Sequence, residues 1–141
     1  MQAGLDTLRG FFRSAPFMAD LGVEPTAVEA GRVTTELVIA PRHRQHTGVV
    51  HAGVIAALAD HTMGAAAQTM APEGQWVLTA EFKTSLLRGA SGERLVCEAW
   101  VIKPGRQLSF TEAEVYALAG GERRLVAKAS GTMAVTRADQ A

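Results

Sequence analysis

The chain has 141 residues, 48% of them hydrophobic and 20% charged, enough for the core of one domain and too little charge for a disordered tail. Fourteen Lys and Arg against fourteen Asp and Glu give a formal net charge of zero, which excludes the basic field that draws a protein onto nucleic acid or anionic lipid. One cysteine cannot close an internal disulfide, and no basic, apolar, cleavable leader opens the sequence, so the expectation is a single domain over 1–141 in the cytoplasm.

Leu5, Leu8 and Phe12 recur at helical spacing before Pro16, which predicts a short amphipathic helix within 1–15. From Arg32 to Ala40 the pattern alternates, with Val33, Thr35, Leu37 and Ile39 on one side, and predicts a strand. A polar loop, Pro41 to Gly48, leads into residues 51–70, where Val54, Ile55, Leu58, Met63 and Met70 surround most of a helical circumference. A helix apolar nearly all round is expected to be buried all round. The polar groups His51, Asp60, His61 and Gln68 interrupt this stretch too often for a lipid-facing span.

After Pro72 and Gly74 the period becomes two: Trp76, Leu78, Ala80 and Phe82 alternate with Val77, Thr79, Glu81 and Lys83. Strands follow over about 93–103 and 107–118, around the turn Pro104-Gly105. After Gly120-Gly121 a last strand alternates Leu125, Ala127, Ala129, Gly131, Met133 and Val135 with Arg124, Val126 and Lys128. A helix, a strand, a long apolar helix and then four strands on short turns give an α+β fold, an antiparallel sheet curled around the central helix.

Asp60 lies mid-helix in the most apolar segment, where a lone charge is costly to desolvate. It reads either as a carboxylate satisfied by neighbours or as a catalytic base or nucleophile made more basic by limited access to water. Small residues at the helix start, around His51-Ala52-Gly53, leave backbone N–H groups at the positive end of the helix dipole, where a developing oxyanion is stabilised. Ala52 and Asp60 are eight residues apart, about 12 Å along a helix, whereas both groups must lie within about 3 Å of one reacting centre. One helix cannot host both, so the expectation is a homodimer with two composite sites.

Gln45-His46-Thr47-Gly48-Val49-Val50-His51-Ala52-Gly53, followed by Leu58-Ala59-Asp60, resembles the signature of hotdog-fold acyl-CoA thioesterases of the phenylacetate-pathway (PaaI-like) type. The resemblance spans roughly residues 20–136, including Leu78 to Lys83 and the Lys103-Pro104-Gly105-Arg106 hairpin. It implies a five- to six-stranded sheet around the central helix, and hydrolysis of acyl-CoA to free acid and coenzyme A without metal or organic cofactor. It assigns attack on the thioester to Asp60, carbonyl polarisation to the amide of Ala52 with Gly53 beside it, and loop orientation to His51. Gln45 matches an amide side chain that is usually Asn, and Thr79 a hydroxyl on the next strand. Ala52 stands where the family commonly has glycine and would resist positive φ. Strict alternation puts Thr79 on the face of Glu81 and Lys83, so only a bulge or a position at the subunit seam brings it to Asp60.

Coenzyme A phosphates need cations, and Arg88, Lys103, Arg106 and Arg123, with Gly105 in the hairpin, are the candidates at strand ends. His43, His46, His51 and His61 lack the spacing and partners of a metal site, and Cys97 alternates with core residues as a small hydrophobe. Met63, Phe17, Phe82 and Met70 are candidates for pocket depth. A homotetramer of two dimers is the expected assembly. Two other readings fit the fold: an enoyl thioester hydratase or dehydratase pairing His51 with Asp60, and a non-catalytic acyl-CoA-binding protein, favoured by Ala52 and Gln45.

Overall fold

The computed structural model describes residues 4–137. Two short helices, α1 (Leu5–Arg13) and α2 (Pro16–Leu21), come first; the part of the expected N-terminal helix at residues 1–3 lies outside the described residues. Gly22, at φ 84°, takes the left-handed conformation that ends α2 and turns the chain into the sheet. The strands are β1 (Val23–Glu29), β2 (Arg32–Val38), β3 (Gln75–Leu86), β4 (Arg94–Lys103), β5 (Leu108–Ala119) and β6 (Glu122–Arg137), and α3 (Ala52–Gln68) separates β2 from β3.

All neighbouring strands pair antiparallel, in the spatial order β1-β2-β4-β5-β6-β3, so β1 and β3 form the two edges. β1 is a strand that the hydropathy pattern did not reveal. Pro25 has no N–H to donate, and a bulge between Pro25 and Ala27 breaks the alternation, both tolerated because β1 is an edge.

The sheet curls around α3. Ile55, Leu58, Ala59, Thr62, Met63, Ala65, Ala66 and Ala67 are buried against its inner face, which supplies Val33, Leu95, Cys97, Ala99, Ala113 and Val115, all with no exposed surface. Alanine and glycine at Ala99, Ala113, Ala129 and Gly131 let the helix sit close; a Cβ at Gly131 would already press on Met63, Met133 and Phe82. The expectation of a helix buried all round is corrected. Gly53 is exposed and Ala56, Ala57, Asp60 and Gly64 are half-buried, a stripe of small residues at spacings of three and four that runs along one side of α3.

Two bulges alter the predicted faces. In β3 the pairing slips between Thr79 and Glu81, so Thr79 lies opposite Met133 and Phe82 opposite Gly131, and both turn toward α3. In β6 the pairing slips opposite Val115 and Tyr116, and Val126 joins Ala127 in the core instead of alternating with it. Among the described residues no helix is long and apolar enough to cross a membrane.

Leu58 is completely buried at the middle of the helix face that meets the sheet. Leu58→Ala should cost about 2–5 kcal/mol, read as a lowered urea midpoint at unchanged slope. A loss below about 1 kcal/mol would mean that the helix–sheet seam is not the main packing contact.

Candidate active site

The loop before α3 is held by backbone bonds: Gln45 N–H donates to Val49 O (2.8 Å), Gly48 N–H to Gln45 O (2.9 Å) and Val50 N–H to Ala90 O (2.9 Å). Gly48, at φ 92°, is the position in this turn that needs a glycine. The loop is further fixed by His43, which is buried. Its Nδ1 accepts from Ala40 N–H (2.9 Å), so Nε2 carries the proton and donates to Leu21 O (2.8 Å). His43 is therefore a structural histidine with both ring nitrogens engaged.

His51 caps α3. Its Nδ1 accepts the Gly53 N–H at 2.8 Å, and a Cβ on Gly53 would crowd the ring at 3.0 Å, which explains the glycine. Gly53 therefore has no N–H left for a carbonyl, which corrects its place in the expected oxyanion site. The Ala52 N–H, at the first helical position, has no partner among the described residues. Ala52 needs no positive φ, since no described residue other than glycine has one, so its methyl is no obstacle. Gln45 lies in the same loop, half-buried, and donates its amide Nε2–H to Thr47 Oγ1 at 2.7 Å.

Asp60 stands two turns further along α3. It is half-exposed on the small-residue stripe, not sealed in the core as its sequence context implied. The bulge at Ala80 aims Thr79 at it, and Thr79 Oγ1–H donates to Asp60 Oδ1 at 2.6 Å. A charge-assisted bond of this length fixes the carboxylate plane and leaves Oδ2 free of protein partners among the described residues. Thus Asp60 and Thr79 come together, as do His51, Ala52 and Gly53 at the helix start, with Gln45 in the loop before it, but Ala52 and Asp60 remain about 12 Å apart along one helix.

His61, beside Asp60, packs edge-on against Phe12 with ring centroids 4.5 Å apart, and its Nε2 is buried without a hydrogen-bond partner. Burial holds its pKa below the ordinary 6.5, against a smaller opposing pull from the Asp60 charge. The Cys97 thiol is pushed up to about 12 by burial, which removes it as a nucleophile.

The cations do not form one cluster. Arg88 follows β3 at the end of the sheet where α3 begins, while Lys103, Gly105 and Arg106 form the β4–β5 turn at the opposite end. Gly105 is required there because a Cβ would strike the Leu108 carbonyl. Arg123 is already committed, bonded to Glu98 at 2.7 Å and stacked 3.7 Å over Tyr116 on the outer sheet face.

An apolar cavity lies apart from Asp60. It is a cleft of about 260 Å³ between α1, the end of α3 and the start of β3, with Phe11 stacked on Trp76 at 5.4 Å. Of the residues expected to set pocket depth, Met63 is core, Phe17 and Met70 are exposed, and neither they nor Phe82 line this cleft. Phe11 and Trp76 are a pair that helical and strand periodicity could not join.

Residues 47–123 match the family model described as the thioesterase superfamily. The proofreading thioesterase EntH of Klebsiella pneumoniae is 33% identical over 99 residues, covering 70% of this chain and 72% of that protein. A thioesterase family protein from Silicibacter pomeroyi superposes with TM-score 0.90 at 35% identity, over 92% of this chain and 96% of that one. A conserved protein from Pseudomonas aeruginosa superposes with TM-score 0.81 at 31% identity, over 90% and 98% respectively.

Because the folded His61 ring resists protonation, acidification from neutral pH through 6.5 protonates the unfolded chain first and lowers stability. The slope from this one group is at most about 1.4 kcal/mol per pH unit. Urea midpoints between pH 7.5 and 5.5 should fall less steeply in His61→Gln than in the unaltered protein.

Proposed function

The chain belongs to the thioesterase superfamily, and from that premise we propose that it hydrolyses acyl-CoA with Asp60 of one protomer and the Ala52 N–H of another. Thioester hydrolysis itself follows from the family and from the EntH relative. What supports this division of labour is the placement of the two half-sites: a carboxylate oriented by Thr79, and a free helix N-terminal amide too far along the same rod to serve it.

β3 supports the same arrangement. It is a 12-residue edge strand with Leu78, Phe82 and Leu86 exposed, the kind of edge that pairs with another chain. Two β3 edges paired about a two-fold axis set the central helices side by side and antiparallel. For Ala52 of one helix to meet Asp60 of the other, the axis passes near Ala56, halfway between them. Gly53, Ala56 and Ala57 are small enough for close approach there. The same operation puts Arg88 of one protomer at the same end of the joined sheet as the Lys103–Arg106 turn of the other, with β3 and β6 between them, cations on either side of a path for the coenzyme A phosphates. Exposed Ile102, Leu108 and Phe110 on the outer sheet face supply a second surface, for pairing dimers into a tetramer.

In the reaction, Asp60 Oδ2 takes a proton from water as the water oxygen bonds to the thioester carbonyl carbon. The Ala52 N–H holds the resulting oxyanion. Collapse breaks the C–S bond, the thiolate leaves, and the proton passes from Asp60 to the departing sulfur. Gln45, its amide held by Thr47, lines the approach to the carbonyl. His51 acts through the loop it caps. The zero net charge and one free buried cysteine fit a cytoplasmic enzyme.

Asp60→Asn should keep the fold, by circular dichroism, and lower kcat for thiol release about 10²–10⁴-fold, with a smaller loss in Thr79→Val. Full turnover in folded Asp60→Asn removes Asp60 from the mechanism. A change in enoyl absorbance without free thiol would select the hydratase pairing, and saturable binding without either product a carrier. After a single turnover in ¹⁸O-water, label in Asp60 would show that the carboxylate attacks first and that water opens the mixed anhydride at Asp60, whereas direct attack by water labels the free acid alone.

Ala56→Leu places bulk on a half-exposed position of one chain and at the proposed two-fold axis. The expected result is a folded monomer by sedimentation, without thioesterase activity. A fully active monomer would show that one chain contains a complete site.

A further inference from the structure

We propose that the cleft between α1 and the end of α3 receives the far end of the acyl group, making the preferred substrates thioesters of medium- and long-chain unbranched acids. This rests on the hydrolase reading above and adds the substrate class to it.

The cleft is walled by Leu8, Phe11, Ala65, Pro72 and Trp76, with Gln68 at its base. Its inner polar groups are already satisfied. Gln68 Nε2–H donates to Gln75 O at 2.9 Å and its Oε1 accepts the Val77 N–H at 3.0 Å. Thr69 Oγ1–H donates to Ala66 O at 2.7 Å while the oxygen accepts the Gly31 N–H at 2.8 Å. A polar ligand would find no inner partner and would lose its hydration, whereas a hydrocarbon loses nothing by entering. Thr7 and Glu73, which also border the cleft, are exposed at its rim. About 260 Å³ suits a tail and is small for a nucleotide.

The position fits as well. Both elements that carry the Asp60–Thr79 pair run from it to the cleft: Gln68 is eight residues beyond Asp60 on α3, about 12 Å, and Trp76 is three residues before Thr79 on β3, about 10 Å. An acyl group whose carbonyl sits at Asp60 must be extended to arrive there. Acetyl and phenylacetyl groups stop short; a decanoyl chain enters.

The test compares kcat/KM for decanoyl-, acetyl- and phenylacetyl-CoA in the unaltered protein and in two variants, Ala65→Leu, which fills the cleft, and Trp76→Ala, which removes an exposed wall. The unaltered protein should favour decanoyl-CoA, and each variant should lower the decanoyl-to-acetyl ratio about tenfold or more. Trp100→Phe leaves Trp76 as the one tryptophan of the two in the chain. Its emission should then shift on titration with a non-cleavable decanoyl thioether of coenzyme A. Ratios unchanged in both variants, or an emission that does not move, would overturn the assignment. If the unaltered protein releases thiol from no thioester, the hydrolase reading fails instead, and the emission titration alone judges the cleft.

Discussion

A rigid helix fixes the distance between the two groups that the proposed reaction would need together. Ala52 offers a free N–H at the positive end of α3, and Asp60 offers a carboxylate eight residues later; no side-chain motion shortens about 12 Å of hydrogen-bonded rod. The unpaired edge of β3, the small-residue stripe and the placement of Asp60 on that stripe are consistent with this one separation. A carboxylate sealed inside a single chain would carry the desolvation cost alone. Half-exposed on the helix surface, it keeps water within reach and a hydroxyl donor from Thr79.

One inserted residue in an edge strand controls how that donor is aimed. Without the slip at Ala80, period-two alternation would put Thr79 and Phe82 on opposite faces of β3. With it, the hydroxyl meets Asp60 while Phe82 lies opposite Gly131 on the same face. The bulge sets the Thr79 hydroxyl and Phe82 on one face of the strand, and an edge strand accommodates it with the loss of few ladder bonds.

Much of this was legible in the residues. Alternation located β2 and four later strands, the apolar circumference located α3, and the motif from Gln45 to Asp60 carried the family resemblance. The parts that were not legible are those where tertiary geometry overrides a local period. Pro25 and a bulge hid β1, and Val126 in β6 was assigned to the wrong face because an extra residue leaves no mark in hydropathy. Small residues around α3 read as uniform burial, although one side of the helix is open in the chain. The Gly53 N–H is available by helix position alone, and only the fold shows that His51 Nδ1 occupies it.

Arg123 shows why charge at a strand end is weak guidance to a phosphate site. Its guanidinium already bonds Glu98 and covers Tyr116, so leaving them for a phosphate would expose both partners. Arg88 and the Lys103–Arg106 turn have no such commitments among the described residues, but they occupy opposite ends of the sheet. A two-fold axis across β3 exchanges those ends. The same symmetry that would join Ala52 to Asp60 would also bring the two cationic segments to one end of the joined sheet, so the acyl and nucleotide ends of the proposed substrate would depend on a single arrangement of two chains.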